Sequence, residues 1–164
     1  MKRPKLDIHS RSQWPSGALS NFTAHGFVFD GVPCGSMEGF LQSLKIRNPE
    51  AQRAVCALTG VVAKKAGQTV VPDWRESQTL WWKGQPVARQ GEEYQRLISN
   101  AYDAMFADSP SFRFALIVTD RVKLTHLIGM QNPAQTVLTE HELWSQLVRL
   151  RQRMIRHLLP RTCS

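Results

Sequence analysis

The sequence predicts a mostly helical α+β domain with one small β element, and three observations carry that prediction. Helix-capping residues stand repeatedly in front of stretches whose apolar positions recur at helical spacing. A single alternating segment, Gly26 to Cys34, reads as a hairpin. The chain has 164 residues, 42% hydrophobic and 21% charged, and no repeat, linker or low-complexity tract divides it.

Taken in order, residues 1–13 read as a loose basic arm carrying Lys2, Arg3, Lys5 and Arg11, and residues 160–164 as a tail. The domain between them spans 14–159. In the hairpin, Phe27, Phe29 and Val32 alternate around Asp30-Gly31, a dipeptide that favours a tight two-residue turn. Ser36 caps a helix over 37–46 with Met37, Leu41 and Leu44 at helical spacing. Asn48-Pro49 opens a second helix, expected to stop near Gly60, and a short one through Ala63–Ala66 is expected to end at Gly67. Residues 68–91, with Trp74, Trp81 and Trp82, show no regular pattern. Helices follow over 92–107 and after Ser109-Pro110. A capping box of Thr139 and Glu142 starts the last one, which carries Leu143, Leu147, Leu150 and Met154 and ends before Pro160.

The 21 basic and 13 acidic residues give a net charge of +8, which favours anionic partners but also serves plain solubility. Much of the excess lies in the arm and in the last helix, at Arg149, Arg151, Arg153, Arg156 and Arg161. Cys34, Cys56 and Cys163 form neither a disulfide framework nor a zinc-ligand spacing, so a reducing cytoplasm is the expected compartment and no metal or other cofactor is expected. No apolar run reaches the ~18 residues a membrane span needs.

The chemistry-bearing pattern lies on the first helix. Glu38, Gln42 and Lys45 are four and then three residues apart, which puts them on one face beside the apolar stripe. That face could wall a cleft. Periodicity is met equally by a solvated stripe, in which a Glu–Lys pair adds only about 0.2–0.5 kcal/mol. Lys64 and Lys65 beside Gly67 could hold a phosphate or be plain surface. Of the adjacent Trp81 and Trp82, one can point inward while the other covers a flat ligand.

In sequence order, these pieces resemble the NADAR (YbiA-like) family. The residues that carry the likeness are Ser20-Asn21-Phe22, Asp30-Gly31, Ser36-Met37-Glu38 through Gln42 to Lys45, and Ala63-Lys64 with Gly67. A tryptophan segment, a helix ending in Phe106, Leu116 with Thr119, and a last helix with Arg151 complete it. Where many members carry Asp-x-x-Trp-Gly and then Gly-x-Asn-x-Leu-Gly, this chain reads Leu124-Thr125-His126-Leu127-Ile128-Gly129 and then Thr136-Val137-Leu138-Thr139, as a divergent branch would.

The resemblance implies a YbiA-like fold and hydrolysis of an N-glycosidic bond at a ribose. It implies Glu38 as the acid–base group and Lys45 as either an anion holder or a Schiff-base nucleophile. Gln42 would orient sugar hydroxyls, Asn21, Phe22 and Trp82 would hold the base, Lys64 with Gly67 the phosphates, and His126 would join the binding residues. The implied partners are an ADP-ribosyl or phosphoribosyl substrate, including ADP-ribosylated nucleic acid, and no membrane. The rival reading is a non-catalytic module that binds ADP-ribose or nucleic acid.

Overall fold

The N-terminal segment is a strand where the sequence suggested a loose arm. In the computed structural model, which describes residues 3–158, β1 (Lys5–Asp7) pairs in parallel with β6 (Lys123–Thr125), Leu6 opposite Leu124. Ile8, just beyond it, is fully buried in the core. Local chemistry cannot announce this, because the two partners are 118 positions apart and each strand is only three residues long. Asp7 locks the pair: its Oδ1 accepts from Thr125 Oγ1 at 3.1 Å and from the Leu127 backbone N–H at 2.8 Å.

The expected hairpin forms from β2 (Phe27–Phe29) and β3 (Val32–Cys34). Asp30 and Gly31 both have positive φ, 49° and 75°, the geometry whose twist matches the flanking strands. Ser36 caps α1 (Met37–Ser43), its Oγ accepting from the Gly39 N–H at 3.0 Å. This helix is shorter than expected: it stops at Ser43, so Lys45 lies in the turn beyond, its N–H still donating to the Gln42 carbonyl at 3.3 Å. Every residue of α1 is buried. A helix enclosed on all sides belongs at the centre of a fold, and α1 packs against α2 (Pro49–Cys56), α3 (Gly60–Gln68) and α5 (Glu92–Asp108).

Asn48 and Pro49 start α2 as read, the Asn48 Oδ1 accepting from Ala51 N–H at 2.9 Å. Gly60 does not end that helix; with φ at 51° it opens α3, which runs through Gly67 to Gln68. The stretch without pattern contains α4 (Trp74–Ser77), capped by Asp73, and a second hairpin, β4 (Thr79–Trp82) and β5 (Gln85–Ala88). Its turn, Lys83-Gly84, has φ of 50° and 81°, so it is the same turn as Asp30-Gly31 with a lysine in place of the aspartate that signals it.

Helices α5, α6 (Pro110–Ile117) and α7 (Glu140–Leu158) close the core from the other side. Tyr94, Ile98, Ala101, Tyr102 and Met105 of α5 meet Phe112, Ala115 and Leu116 of α6 and Leu143, Leu147 and Leu150 of α7 in one buried cluster. Thr139 and Glu142 form the expected capping box, Glu142 Oε2 accepting from Thr139 N–H at 2.7 Å. The architecture is thus α+β and mostly helical, with three two-stranded sheets among the described residues. No described helix is long and apolar enough to cross a membrane. Cys163 and the tail from 160 onward lie outside the described residues.

Candidate active site

A cleft of about 560 Å³ opens over the polar edge of α1. Its floor follows from the burial of that helix: a carboxylate and a carboxamide placed on a central helix cannot reach bulk water, so each must find partners or face a cavity. Glu38 and Gln42 are 7% and 6% exposed, and Gln42 Nε2 donates to Glu38 Oε1 at 2.8 Å. The Glu38 backbone N–H donates to the Asn21 carbonyl at 2.9 Å, tying the Ser20–Phe22 loop to the start of the helix. Tyr102 from α5 fixes the other side of that loop, its hydroxyl donating to Asn21 Oδ1 at 2.7 Å.

Gly67 explains how α3 approaches this floor. A Cβ there would stand 2.0 Å from Gln42 Oε1 and 2.8 Å from Gln42 Cβ, so only glycine lets the carboxamide lie against the helix backbone. Oε1 of Gln42 and Nε1 of Trp74 are buried without a hydrogen-bond partner among the described residues. One turn before Gly67, Lys64 holds its Nζ 5.8 Å above the Phe22 ring. One wall is the end of the β1–β6 pair: His126 places Nδ1 2.7 Å from the Ile8 carbonyl, and His9 and Arg11 continue along the rim. Gly129 keeps the turn after His126 tight, since a Cβ would lie 2.6 Å from the imidazole Cδ2. Trp74 and Arg75 of α4 close the far end, where the Arg75 guanidinium lies 5.6 Å over the Trp74 ring.

Charge is distributed unevenly. Arg11, Lys45, Lys64 and Arg75 line the cleft, and Glu38 is its one carboxylate among the described residues. Burial pushes the Glu38 carboxyl up from its usual value; the bond from Gln42 and the charges of Lys64, Lys45 and His126 oppose this without reversing it. Lys45 is held below the ordinary lysine range, first by burial and then by the positive charge of Arg75, with Glu38 pulling the other way. The pair is therefore tuned toward neutrality from both sides. These are the directions that favour proton donation by a carboxyl and nucleophilic attack by an amine.

Of the nine side chains singled out from the sequence, Asn21, Phe22, Glu38, Gln42, Lys45, Lys64 and His126 line the cleft. Two do not. Gly67 is not among the lining residues; it is the contact that seats Gln42. Trp82 is the inward member of its pair: its ring packs on Phe29 and Phe40 at 5.3 Å, and Nε1 donates to Asp30 Oδ2 at 3.0 Å, joining the two hairpins. Trp81 lies under the Arg47 guanidinium at 4.9 Å, and the tryptophan at the cleft is Trp74. Trp74 and Arg75 were missed with the rest of their segment, although Asp73 before them is a legible N-cap, its Oδ1 accepting from Arg75 N–H at 3.0 Å. Among the described residues no group of three His, Cys, Asp or Glu side chains is placed to hold a metal.

Comparison with known proteins agrees with this geometry. Residues 13–152 match the family model described as bacteriophage protein GP30.3. An uncharacterized 17.1 kDa protein from the Gp30–rIII intergenic region of Enterobacteria phage T4 is 38% identical over 148 residues, covering 90% of this chain and 97% of the phage protein. The NMR structure of the E. coli protein YbiA superposes with a TM-score of 0.66 over 99% of this chain and 92% of its own, at 18% identity, a likeness of fold. The chain belongs to the bacteriophage GP30.3 family, a NADAR-like branch built on the YbiA fold.

Proposed function

We propose that the protein is an N-glycosidase of a reducing cytoplasm that hydrolyses a ribosyl C1–N bond, removing ADP-ribose from a modified guanine base. The observation that carries the reading is the floor of the cleft. Glu38 is buried there with its carboxyl raised, beneath the basic side chains of Arg11, Lys64 and Arg75, which suit a phosphorylated ligand. A cleft of about 560 Å³ lies within the roughly 300–1,000 Å³ that small-molecule sites occupy.

Glycosidases that use two carboxylates need both beside the sugar; this cleft offers one carboxylate, Glu38, and two lysines, of which Lys45 shares the α1 floor. Protonated Glu38 gives its proton to the departing base nitrogen as the C1–N bond breaks. The incoming nucleophile supplies the new bond at C1. If that nucleophile is the neutral Lys45 amine, it attacks C1 of the ring-opened sugar and displaces the base amine. Water then hydrolyses the resulting imine, freeing the lysine and an aldehyde that closes to ribose. If Lys45 only holds a phosphate, water attacks C1 directly and loses its proton to the Glu38 carboxylate. A phosphoribosyl-amino-pyrimidine presents the same bond and the same anionic handle, and is the alternative substrate.

The test is incubation with ADP-ribosylated guanosine, following free ADP-ribose. Binding of ADP-ribose with no turnover would replace the enzyme by a reader of the modification. Borohydride added during turnover decides between the two lysine roles. A covalent adduct at Lys45, with an inactive Lys45→Arg variant, is expected for the imine, because a guanidinium stays protonated. An active arginine variant and no adduct would leave Lys45 as an anion holder.

A further inference from the structure

A second cationic surface lies at the opposite end of α7 from the cleft. The C-terminal half of this helix, from Arg149 to His157, contains no acidic residue. Arg149, Gln152, Arg153, Arg156 and His157 line a groove of about 500 Å³. Its cations are organised. Asp103 of α5 accepts from Arg149 Nη1 at 2.8 Å and lies 3.5 Å from Arg153 Nη1, while Gln146 Oε1 accepts from Arg149 Nη2 and Nε at 2.8 and 3.1 Å and the Ser99 carbonyl from Nη2 at 3.2 Å. Phe106, at the end of α5, gathers two guanidiniums: Arg153 lies 5.6 Å from its ring centroid and Arg113 of α6 lies 6.0 Å from it. Arg113 is braced in turn by the Phe106 and Ala107 carbonyls, at 2.6 and 2.7 Å.

Of the four guanidiniums, Arg113, Arg149, Arg153 and Arg156, only Arg149 and Arg153 have a carboxylate partner among the described residues, the shared Asp103. Arg151, the remaining arginine of this stretch, takes no part: it is buried and donates to the Val122 carbonyl at 3.0 Å. Stacking and bracing hold three of the four in place before any ligand arrives, which lowers the ordering cost of binding. Guanidinium forks match phosphate oxygens better than any other side chain. From Arg149 to Arg156 the row runs roughly 10 Å along the helix at 1.5 Å per residue, longer than one phosphate and suited to a repeating one.

We propose that this end of α7, with the ends of α5 and α6, seats the sugar–phosphate backbone of a nucleic acid strand, so that a base carried on the strand is offered to the cleft. The identity of that base rests on the N-glycosidase reading; the surface itself does not. Leu143 lines the cleft and Arg153 the groove, and the ten residues between them span about 15 Å, the length of four or so duplex steps at 3.4 Å. Guanidiniums on phosphates fix position without reading base edges, so the contact is independent of sequence.

The experiment is an anisotropy titration of a labelled single-stranded oligonucleotide between about 50 and 200 mM salt. Each phosphate contact on a single strand contributes about 0.7 to the slope of log affinity against log salt. Arg153→Gln/Arg156→Gln is expected to flatten that slope by about 1.4, and Arg156→Gln alone by about 0.7. Both variants should turn over free ADP-ribosylated guanosine as the parent does, because neither residue touches the cleft. An unchanged slope in the double variant overturns the proposal, as does binding of polyglutamate of matched charge as tightly as the oligonucleotide. If the parent turns over nothing, the glycosidase reading fails while the slope still decides the surface.

Discussion

Two carboxylates sit on buried helical ground in this protein, and they are treated in opposite ways. Glu142, on α7, takes five donors: both Nη of Arg89 at 3.0 and 2.7 Å, the Thr139 N–H and hydroxyl at 2.7 and 3.0 Å, and Gln95 Nε2 at 2.7 Å. Burial alone would raise its carboxyl, but these bonds outweigh burial and hold it below the usual range. Glu38, on α1, takes one donor, from Gln42, and the nearby cations act only at longer range, so burial wins and its carboxyl is raised. A carboxylate that is fully answered stabilises a structure. One that is left under-answered beside a cleft is kept for proton traffic.

The comparison breaks if the two residues fail in the same way. Glu38→Gln keeps volume and removes ionisation, so turnover should fall by about 10²- to 10⁴-fold, roughly 3–5 kcal/mol of barrier, while circular dichroism stays that of the parent. Activity within about threefold of the parent removes Glu38 from the chemistry. Glu142→Ala should do the reverse and unfold the protein early. It leaves the fully buried Arg89 without its counter-ion, which costs about 3–5 kcal/mol. At roughly 2–4 °C per kcal/mol the thermal midpoint drops by about 10 °C. A melt unchanged within about 2 °C would show that Arg89 finds another partner.

Gly67→Ala sharpens the contrast at the floor itself. The new methyl displaces Gln42 and with it the one donor to Glu38 among the described residues, costing about 1–3 kcal/mol of stability and moving the alkaline limb of the pH–rate profile, set by loss of the Glu38 proton, to higher pH. A variant with the parent's melt and profile would mean that α3 yields freely. The smallest effect is in the pH dependence of stability. A raised carboxyl favours the fold at low pH, and that contribution is lost as pH rises through its folded value; Glu38→Gln should therefore gain on the parent toward alkaline pH. A lowered carboxyl contributes above its ordinary value and is lost as pH falls through its folded value, so Glu142→Gln should cost most near neutrality and least in acid. Melts of the two variants across pH that run in parallel would sink the comparison.

What was legible in the sequence was local. Asp30-Gly31, Ser36, Asn48-Pro49, Ser109-Pro110 and the Thr139–Glu142 box each act on backbone within a few residues, and each stands where it was read. Non-local pairing was not legible. The β1–β6 register joins residues 118 apart, and the Lys83-Gly84 turn lacks the residue that marks its twin. Trp81 and Trp82 show the limit plainly: alternation says that one faces inward, but only Phe29, Phe40 and Asp30 decide which. At the site, the motif spacing foretold the floor residues, whereas Trp74 and Arg75 arrive through a fold-back that no spacing encodes. Gly67 was read as a ligand contact because a glycine beside lysines looks the same whether it admits a phosphate or a neighbouring carboxamide.

The clasp between β1 and β6 also fixes when the cleft can come into being. Its wall at Ile8 to Arg11 is held locally by Ser16 and across the fold by β6 and the turn after it, and Thr136 to Thr139 line it from beyond that turn. On a chain emerging from the ribosome, the earliest segment must therefore wait, unpaired, while more than a hundred residues follow it. Helix α1 and its carboxylate can bury themselves against α2 and α3 long before then. A chain truncated before β6 therefore keeps Glu38 but lacks the His126 side of the cleft that surrounds it.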